Sequence, residues 1–558
     1  MISSYLTEAV RSAVAAAGLG DPGPVLLETP KDRAHGDLAT NVAMQLASKG
    51  RAAGKGNPRA VAEAVVTELR ARLDPALIAG VSIAGPGFIN FAYHPDVVRR
   101  SLAEILEAGA GFGRSDWGAG EKVLLEFVSA NPTGPLNVVS ARAASVGDSL
   151  ARLFRACGFE ARTEYYVNDA GNQVRKLGES LLARIREAGG EALVIPENGY
   201  HGEYLKEMAQ AMGPEARAEM LARADAAEAC TRYALTRILA GQQADLESFG
   251  VRFDRFFHET ELHQAGRVTE ALEDLRARGF IYVGAEEKEA EAGALWFRST
   301  DFGDDKDRVV VKKTGETTYF LADTAYHRDK HERGFARAID LFGPDHHGAV
   351  PRLKAAMKAL GYPEDWIEVL LVQQVNLMMG GQAVEMSKRA GKLVTLRELV
   401  DEVGRDVARF SFLMRSVNTH LDFDLALARE ESDKNPVFYV QYAHARACSV
   451  ERNARENRVD PARADLSLLG QPEEMELIKT LMRLPLAVES AVRAREPQRI
   501  PMYLMSVAQS FHPFYHRHRV VDPDNAALSA ARLQLVQGVR LVMANGLGLI
   551  GVSAPEQM

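Results

Sequence analysis

Apolar residues recur along this chain in three successive patterns. From residue 1 to about 110, helical spacing alternates with short strand-like runs. Leu6, Val10 and Val14 fall a helical turn apart and predict a core-facing helix. Val81 to Ala92 reads as two strands joined by the Gly85-Pro-Gly87 turn. The glycine-rich stretch 111–120 predicts a linker. From Lys122 the pattern becomes strand–helix–strand: an apolar run Val123–Val128, a helix over Ala141–Cys157, and a second strand over Ala161–Val167. That is one βαβ unit of a parallel sheet. The middle, about 175–300, reads as largely helical, and Val309–Lys313 with Thr317–Leu321 as a hairpin around Gly315. Ala338–Phe342 and Trp366–Val372 read as buried strands flanking a helix at Val350–Leu360. After Asn435-Pro436 the strand signal vanishes, leaving helices such as Val437–Arg455 and Ala527–Leu549. No internal repeat or low-complexity segment interrupts the pattern.

At 558 residues the chain exceeds what one hydrophobic core supports, so about three domains are expected. Cys157, Cys230 and Cys448 are widely spaced with no CxxC, which argues against a disulfide framework or a thiolate zinc site and fits a reducing cytosol. Glu8 and Arg11 interrupt the N-terminal apolar stretch, unlike a signal peptide, and no apolar run approaches the roughly 20 residues of a membrane span. The net charge of −8 gives no global attraction to nucleic acid. Residues 436–558 nevertheless carry 14 Lys+Arg against 12 Asp+Glu, a local +2, and 13 of the 14 are Arg. Arginine grips phosphates and stacks on bases, although a solvated helical face has the same composition.

Two distant elements carry the chemistry. Glu126 to Arg142 runs from a strand through Ser129-Ala-Asn131-Pro-Thr-Gly134-Pro135 into a long helix, a geometry that aims backbone N–H groups at an anion. Glu385-Met-Ser-Lys388-Arg389 is a basic, glycine-bounded loop able to meet the same anion. Each alone has an ordinary explanation, a common Gly/Pro turn or a solvated surface loop. Together they point to a nucleotide-dependent enzyme. Asp345, His346 and His347 offer metal-ligating atoms, but no further His/Cys cluster accompanies them, so no dedicated metal site is expected.

These segments, with Tyr165–Gln173, Tyr319–Asp323, Gly343–Gly348, Pro30–Asn41 and Leu549–Met558, resemble the arginyl-tRNA synthetases, a class I aminoacyl-tRNA synthetase family, over essentially the whole chain. The resemblance implies a multidomain α/β protein. A tRNA-elbow-binding α+β domain would span 1–110, a Rossmann-type catalytic domain with a helical insertion 111–435, and an all-α anticodon-binding bundle 436–558. It implies ATP, accompanied by Mg²⁺, L-arginine and tRNA(Arg) as substrates, a monomer, a cytoplasmic location and no membrane contact.

By the same resemblance, Glu126 and Asp323 face the guanidinium of arginine, with Asn131, Tyr319 and His346 completing the pocket. Asn137, Ser140, Gly147, Met386, Ser387, Lys388 and Arg389 handle ATP, and Lys388, Asn137 and Ser140 act on its phosphates. Asn41, Tyr439, Tyr442, Arg446 and Met558 contact tRNA. One departure stands out: class I enzymes usually carry His-x-Gly-His where this chain has Asn137-Val138-Val139-Ser140. Both replacements still donate hydrogen bonds but carry no charge. Three readings follow: an active synthetase with an altered phosphate clamp, a tRNA-binding relative that no longer adenylates, and an enzyme that adenylates another substrate.

Overall fold

The computed structural model describes residues 2–30, 32–49, 56–284, 293–383 and 395–558. At the N-terminus, α1 (Ile2–Ala16), α2 (Val42–Lys49) and α3 (Pro58–Arg70) pack on an antiparallel sheet of β1 (Leu38–Thr40), β2 (Ile78–Ala84) and β3 (Phe88–Tyr93), in the order β1-β3-β2. Leu6, Val10 and Val14 are fully buried in its core. Next, α4 (Pro95–Ala108) lies against the C-terminal helices. The glycine-rich stretch after it is packed rather than loose: Asn545 Nδ2 donates to Gly109 O and Phe112 O, each at 3.0 Å.

The central sheet is parallel throughout, with β4 (Lys122–Glu126) in the middle. On one side lie β5 (Glu160–Val167) and β6 (Arg255–His258). α5 (Val138–Ala156) connects β4 to β5, and α6 (Asn172–Ala188), α7 (Glu203–Ala211), α8 (Pro214–Ala222) and α9 (Ala226–Ser248) connect β5 to β6. After β6 come α10 (Glu259–Gln264), α11 (Arg267–Ala277) and a small antiparallel sheet of β7 (Ile281–Val283), β8 (Leu295–Phe297) and β9 (Arg308–Val311). The chain then returns through α12 (Tyr319–Glu332) to β10 (Arg337–Phe342), which pairs with the other edge of β4. Through α13 (Ala349–Ala359) it reaches β11 (Ile367–Leu371), completing the order β11-β10-β4-β5-β6. The order reverses direction between β4 and β10, the Rossmann switch point where ligands bind. Covered on both faces, β4 buries Val123, Leu124 and Leu125 together, which is why its sequence is a continuous apolar run.

One expectation needs correction, and two details go beyond the sequence pattern. Residues 317–321 are no return strand: only Val311 bridges to Thr317, Thr318 Oγ1 donates to Val309 O at 2.9 Å, and α12 begins at Tyr319. The span 175–300 also contains β6, β7 and β8, of three or four residues each, too short to show a period. Beyond β12 (Val375–Met379) and β13 (Gln382–Ala383), and after α14 (Leu396–Val403) and α15 (Arg405–Leu413), β14 (Leu421–Asp424) pairs in parallel with β12, a pairing the sequence pattern did not suggest.

After α16 (Leu425–Ala428) the C-terminal bundle holds α17 (Pro436–Glu456), α18 (Pro472–Leu481), α19 (Leu484–Ala494), α20 (Arg499–Arg517) and α21 (Ala526–Leu549). The final residues lie along α17, where His444 Nδ1 donates to Pro555 O at 2.8 Å and Gln441 Nε2 to Ser553 O at 2.9 Å. No helix among the described residues is long and apolar enough to cross a membrane.

Burial holds His444 and His512 below the ordinary histidine range. A depressed folded-state pKa contributes stability above the unfolded value, about 6.5, and that stability drains away as the pH falls towards the folded value. The unfolding temperature is therefore expected to drop between pH 7.5 and 5.5, and less so in the His444→Gln/His512→Gln variant. His327, raised rather than depressed, acts in the opposite sense in both proteins and cancels from the comparison. Equal pH slopes would count against burial of neutral rings.

Candidate active site

At the switch point a cavity of about 640 Å³ opens at the C-terminal ends of β4 and β10. Its floor is Glu126, the last residue of β4. Beyond it the chain turns sharply: Val128 and Ser129 take left-handed φ values of 69° and 38°, and Ser129 N donates to Phe127 O at 3.0 Å. For a β-branched residue that conformation is strained, and its cost is met by specific contacts. Ser129 Oγ donates to Glu126 Oε1 at 2.9 Å and accepts from Tyr166 N at 3.1 Å, so the turn is locked to both neighbouring strands.

Behind Glu126 lies a buried polar quartet. Lys330, fully buried on α12, donates to Glu126 Oε2 at 2.5 Å and to Asp340 Oδ1 at 2.8 Å. His327 places Nε2 2.6 Å from Asp340 Oδ2 and Nδ1 2.7 Å from Asp323 O. Both ring nitrogens face acceptors, which favours the doubly protonated ring. Burial and Lys330 pull His327 down, yet Asp340 leaves it above its ordinary value. Burial likewise opposes the charged forms of Lys330 and Asp340, but their partners prevail. Lys330 stands above the lysine range, and Asp340 is held at about 2 by Lys330 and His327. At Glu126 burial wins and pushes the carboxyl up. Glu126, His327 and Asp340 are close enough to ligate a metal, but the Lys330 ammonium bonds both carboxylates and takes that role.

The consequence for the cavity is that both oxygens of Glu126 already have partners. Asp323 differs: it is half-buried in the cavity wall, and among the described residues its carboxylate accepts no hydrogen bond. The described lining contains four carboxylates (Glu126, Glu259, Asp323 and Asp345) and Arg352 as its one Lys or Arg. Such a lining suits a cationic ligand.

The cavity brings together Glu126, Asn131, Asn137, Ser140, Tyr319, Asp323 and His346. Asn131 is exposed at the rim, Tyr319 is 59% exposed at the start of α12, and His346 packs against Phe342. Asn137 caps α5, its Oδ1 accepting from Ser140 N at 3.0 Å and Ser140 Oγ at 3.3 Å. The cap satisfies Ser140 N, while the other first-turn N–H groups of α5 have no intrahelical partners. Gly147 is not in the lining; it sits mid-helix under the Phe127 ring, where any side chain would collide. Met386, Ser387, Lys388 and Arg389 lie outside the described residues. The segment just after them is tied to the first element, for Asn137 bridges Thr395 and Leu396 N donates to Leu136 O at 2.9 Å.

Asn41 lies just before α2, bonded through Oδ1 to Gln45 at 2.9 Å. On α17, Tyr442 is 42% exposed and Tyr439 faces His512, while the Arg446 guanidinium lies 4.8 Å from the ring centres of both Tyr442 and Tyr515. Met558 is half-exposed. None of these five lines the cavity.

Sequence reasoning did not single out Glu259, Arg352 or Gln374. Glu259, buried in the wall and bonded by Tyr166 OH at 2.9 Å, directly follows β6. Its place at the carboxyl end of a parallel strand was the available signal, hidden because β6 is so short.

A parallel sheet of this order, with a capped helix and an acidic cavity at its switch point, defines a Rossmann-type nucleotide-binding enzyme. Comparison with known proteins narrows the class. Residues 102–418 match the family model "tRNA synthetases class I (R), catalytic domain", residues 4–93 "Arginyl tRNA synthetase N terminal domain" and residues 440–558 "DALR anticodon binding domain". The chain is 47% identical to an arginine--tRNA ligase of Citrifermentans bemidjiense over 97% of its own length and 96% of the relative's. With that of Bacillus licheniformis the figures are 45%, 100% and 99%. The Thermus thermophilus arginyl-tRNA synthetase structure superposes with a TM-score of 0.78 at 25% identity, covering both chains completely. The chain belongs to the class I arginyl-tRNA synthetase family.

Proposed function

We propose that this protein activates L-arginine with MgATP and transfers it to the 3′ end of tRNA(Arg). The arginine carboxylate attacks the α-phosphorus in line and pyrophosphate leaves with the displaced electron pair. The terminal ribose hydroxyl of tRNA then attacks the acyl carbonyl and AMP leaves. Neither step needs covalent catalysis by the protein, so positioning and electrostatics carry the rate. The observation that carries the reading is the Asp323 carboxylate, unpaired among the described residues, in an acidic cavity beside the capped N-terminus of α5.

In this reading Asp323 holds the guanidinium, with Glu126 behind it and Asn131, Tyr319 and His346 around the amino acid. Asn137, Ser140 and the α5 N-terminus receive the phosphates. Lys388, with Ser387 and Arg389, supplies positive charge to the leaving pyrophosphate, and Met386 contributes to ATP binding. Gly147 serves ATP binding indirectly, by letting α5 close on Phe127. The tRNA runs from Asn41 to the Tyr439, Tyr442, Arg446 and Met558 surface. The enzyme works as a cytoplasmic monomer. The alternative, a tRNA-binding relative without adenylation, gains no support from the cavity or from the full-length relatives.

The test is arginylation of bulk tRNA by the purified protein, with arginine-dependent ATP–pyrophosphate exchange run with and without tRNA. Charging is expected; tRNA binding without charging would reject the proposal. Lys388→Ala is expected to slow arginine activation about 10²-fold, the scale of one lost transition-state contact. Rates near those of the parent would remove Lys388 from the mechanism.

A further inference from the structure

A second buried cation lies close to the cavity and has no carboxylate partner among the described residues. Arg142, in the second turn of α5, has no exposed surface. Its Nη1 donates to Gln373 O at 2.8 Å and Thr419 O at 2.9 Å, and its Nη2 to Ser416 O at 2.8 Å. A longer contact of 3.4 Å reaches Gln374 O. Nε has no partner among the described residues. Burial alone lowers this guanidinium to about 10.

Such a charge is costly to bury, several kcal/mol before compensation, and an apolar side chain would fill the space more cheaply. What an apolar side chain lacks is a fork of donors able to satisfy carbonyls from two separate chain segments. Those segments are informative. Gln373 and Gln374 join β11 to β12, and Gln374 lines the cavity. Ser416 to Thr419 leads into β14, which pairs with β12 through Val375 and Leu421. On the other side, Arg142 stands only two residues beyond Ser140, in the same helix that Asn137 caps. One guanidinium thus joins the helix turn facing the cavity to the wall opposite.

We propose that Arg142 is a positioning residue of the activation step, holding Gln374 and the β12–β14 pair at a fixed distance from the first turn of α5. Its charge, uncancelled by any carboxylate among the described residues, also lies behind Asn137 and Ser140, which are neutral. The inference rests on the arginine-activation reading above, and the parent protein's own exchange and charging activity tests that reading separately.

The experiment compares Arg142→Lys and Arg142→Ala with Arg409→Lys in ATP–pyrophosphate exchange, with unfolding temperatures measured in parallel. Arg409 is the matched control. It is equally buried and holds Ile550 O at 2.9 Å and Phe249 O at 3.2 Å, but it also pairs with Asp148, and none of these partners lines the cavity. Lysine keeps the charge at 142 and loses the fork. Arg142→Lys is expected to fold and to lose about 10²-fold in kcat, the cost of a roughly 1 Å misplacement, with the arginine KM almost unmoved. Added guanidinium ion is expected to restore at least about tenfold of the kcat lost in Arg142→Ala, and to leave the parent unstimulated. Arg409→Lys is expected to lower the unfolding temperature without changing kcat. The proposal is overturned if Arg142→Lys keeps kcat within about threefold of the parent. It is equally overturned if guanidinium gives no rescue, or if the 142 variants do not fold, since a scaffold role then suffices.

Discussion

Lys330→Met is expected to lose about 3–5 kcal/mol of stability at pH 8, the range for stranding a buried charge. The reason is local. Lys330 has no exposed surface and bonds both Glu126 and Asp340, themselves buried, so its removal leaves two carboxylates with one histidine between them. Methionine fills the volume and offers no charge. The sign of the pH dependence follows. In the parent, Asp340 is depressed to about 2 and its contribution disappears only as the pH falls towards that value. In the variant the unpaired carboxylates are raised above their unfolded values, so their stability is present at low pH and lost as the pH rises. The deficit should therefore be larger at pH 8 than at pH 5. Urea denaturation at both values measures it, and a midpoint unchanged from the parent at pH 8 would mean that the quartet is not charged as described.

Asp323→Asn carries the largest expected effect on catalysis. Its carboxylate faces the cavity with no hydrogen-bond partner among the described residues, so the substitution leaves the fold almost untouched. On the proposed reading it removes a charge-assisted contact to the guanidinium of arginine, about 3–4 kcal/mol. At about 1.4 kcal/mol per tenfold, kcat/KM for arginine should fall between 10² and 10³, with the ATP KM nearly constant. A loss below about threefold would transfer the guanidinium contact to Glu259 or Glu126.

The sequence pattern made the larger elements legible because their periods are long. The Val123–Val128 run, the helix after it and the Ala161–Val167 strand lie close to where expected, although β4 ends at Glu126 and Val128 already belongs to the turn; β4 was legible because a strand covered on both faces is largely apolar. Very short elements escaped: β6 and β8 have no room to repeat a period, and the segment before α12 reads as a strand because Thr317, Thr318 and Tyr319 favour extended backbone until tertiary contacts decide. Of the cavity residues, Glu126, Asn131, Asn137, Ser140, Tyr319, Asp323 and His346 were legible through resemblance, whereas Glu259, Arg352 and Gln374 were not. The state of Glu126 was not. Its partner Lys330 lies more than two hundred residues downstream on an unremarked helix, and a salt bridge between distant segments leaves no local trace. Arg142 was invisible for a related reason, because its partners are backbone carbonyls, which any sequence supplies.

The strand order has a further consequence, for the chain as it leaves the ribosome. β4 emerges early and pairs with β5 soon after, but the partner for its other edge is β10, about two hundred residues later. At roughly 5–20 residues per second, that edge waits about 10–40 s for its neighbour. Throughout the wait Val123, Leu124 and Leu125 lack half their cover, and Glu126 lacks the ammonium that will neutralise it. A strand buried on both faces of the finished protein thus keeps one edge open during synthesis, with a carboxylate at its end that lacks its ammonium until Lys330 arrives.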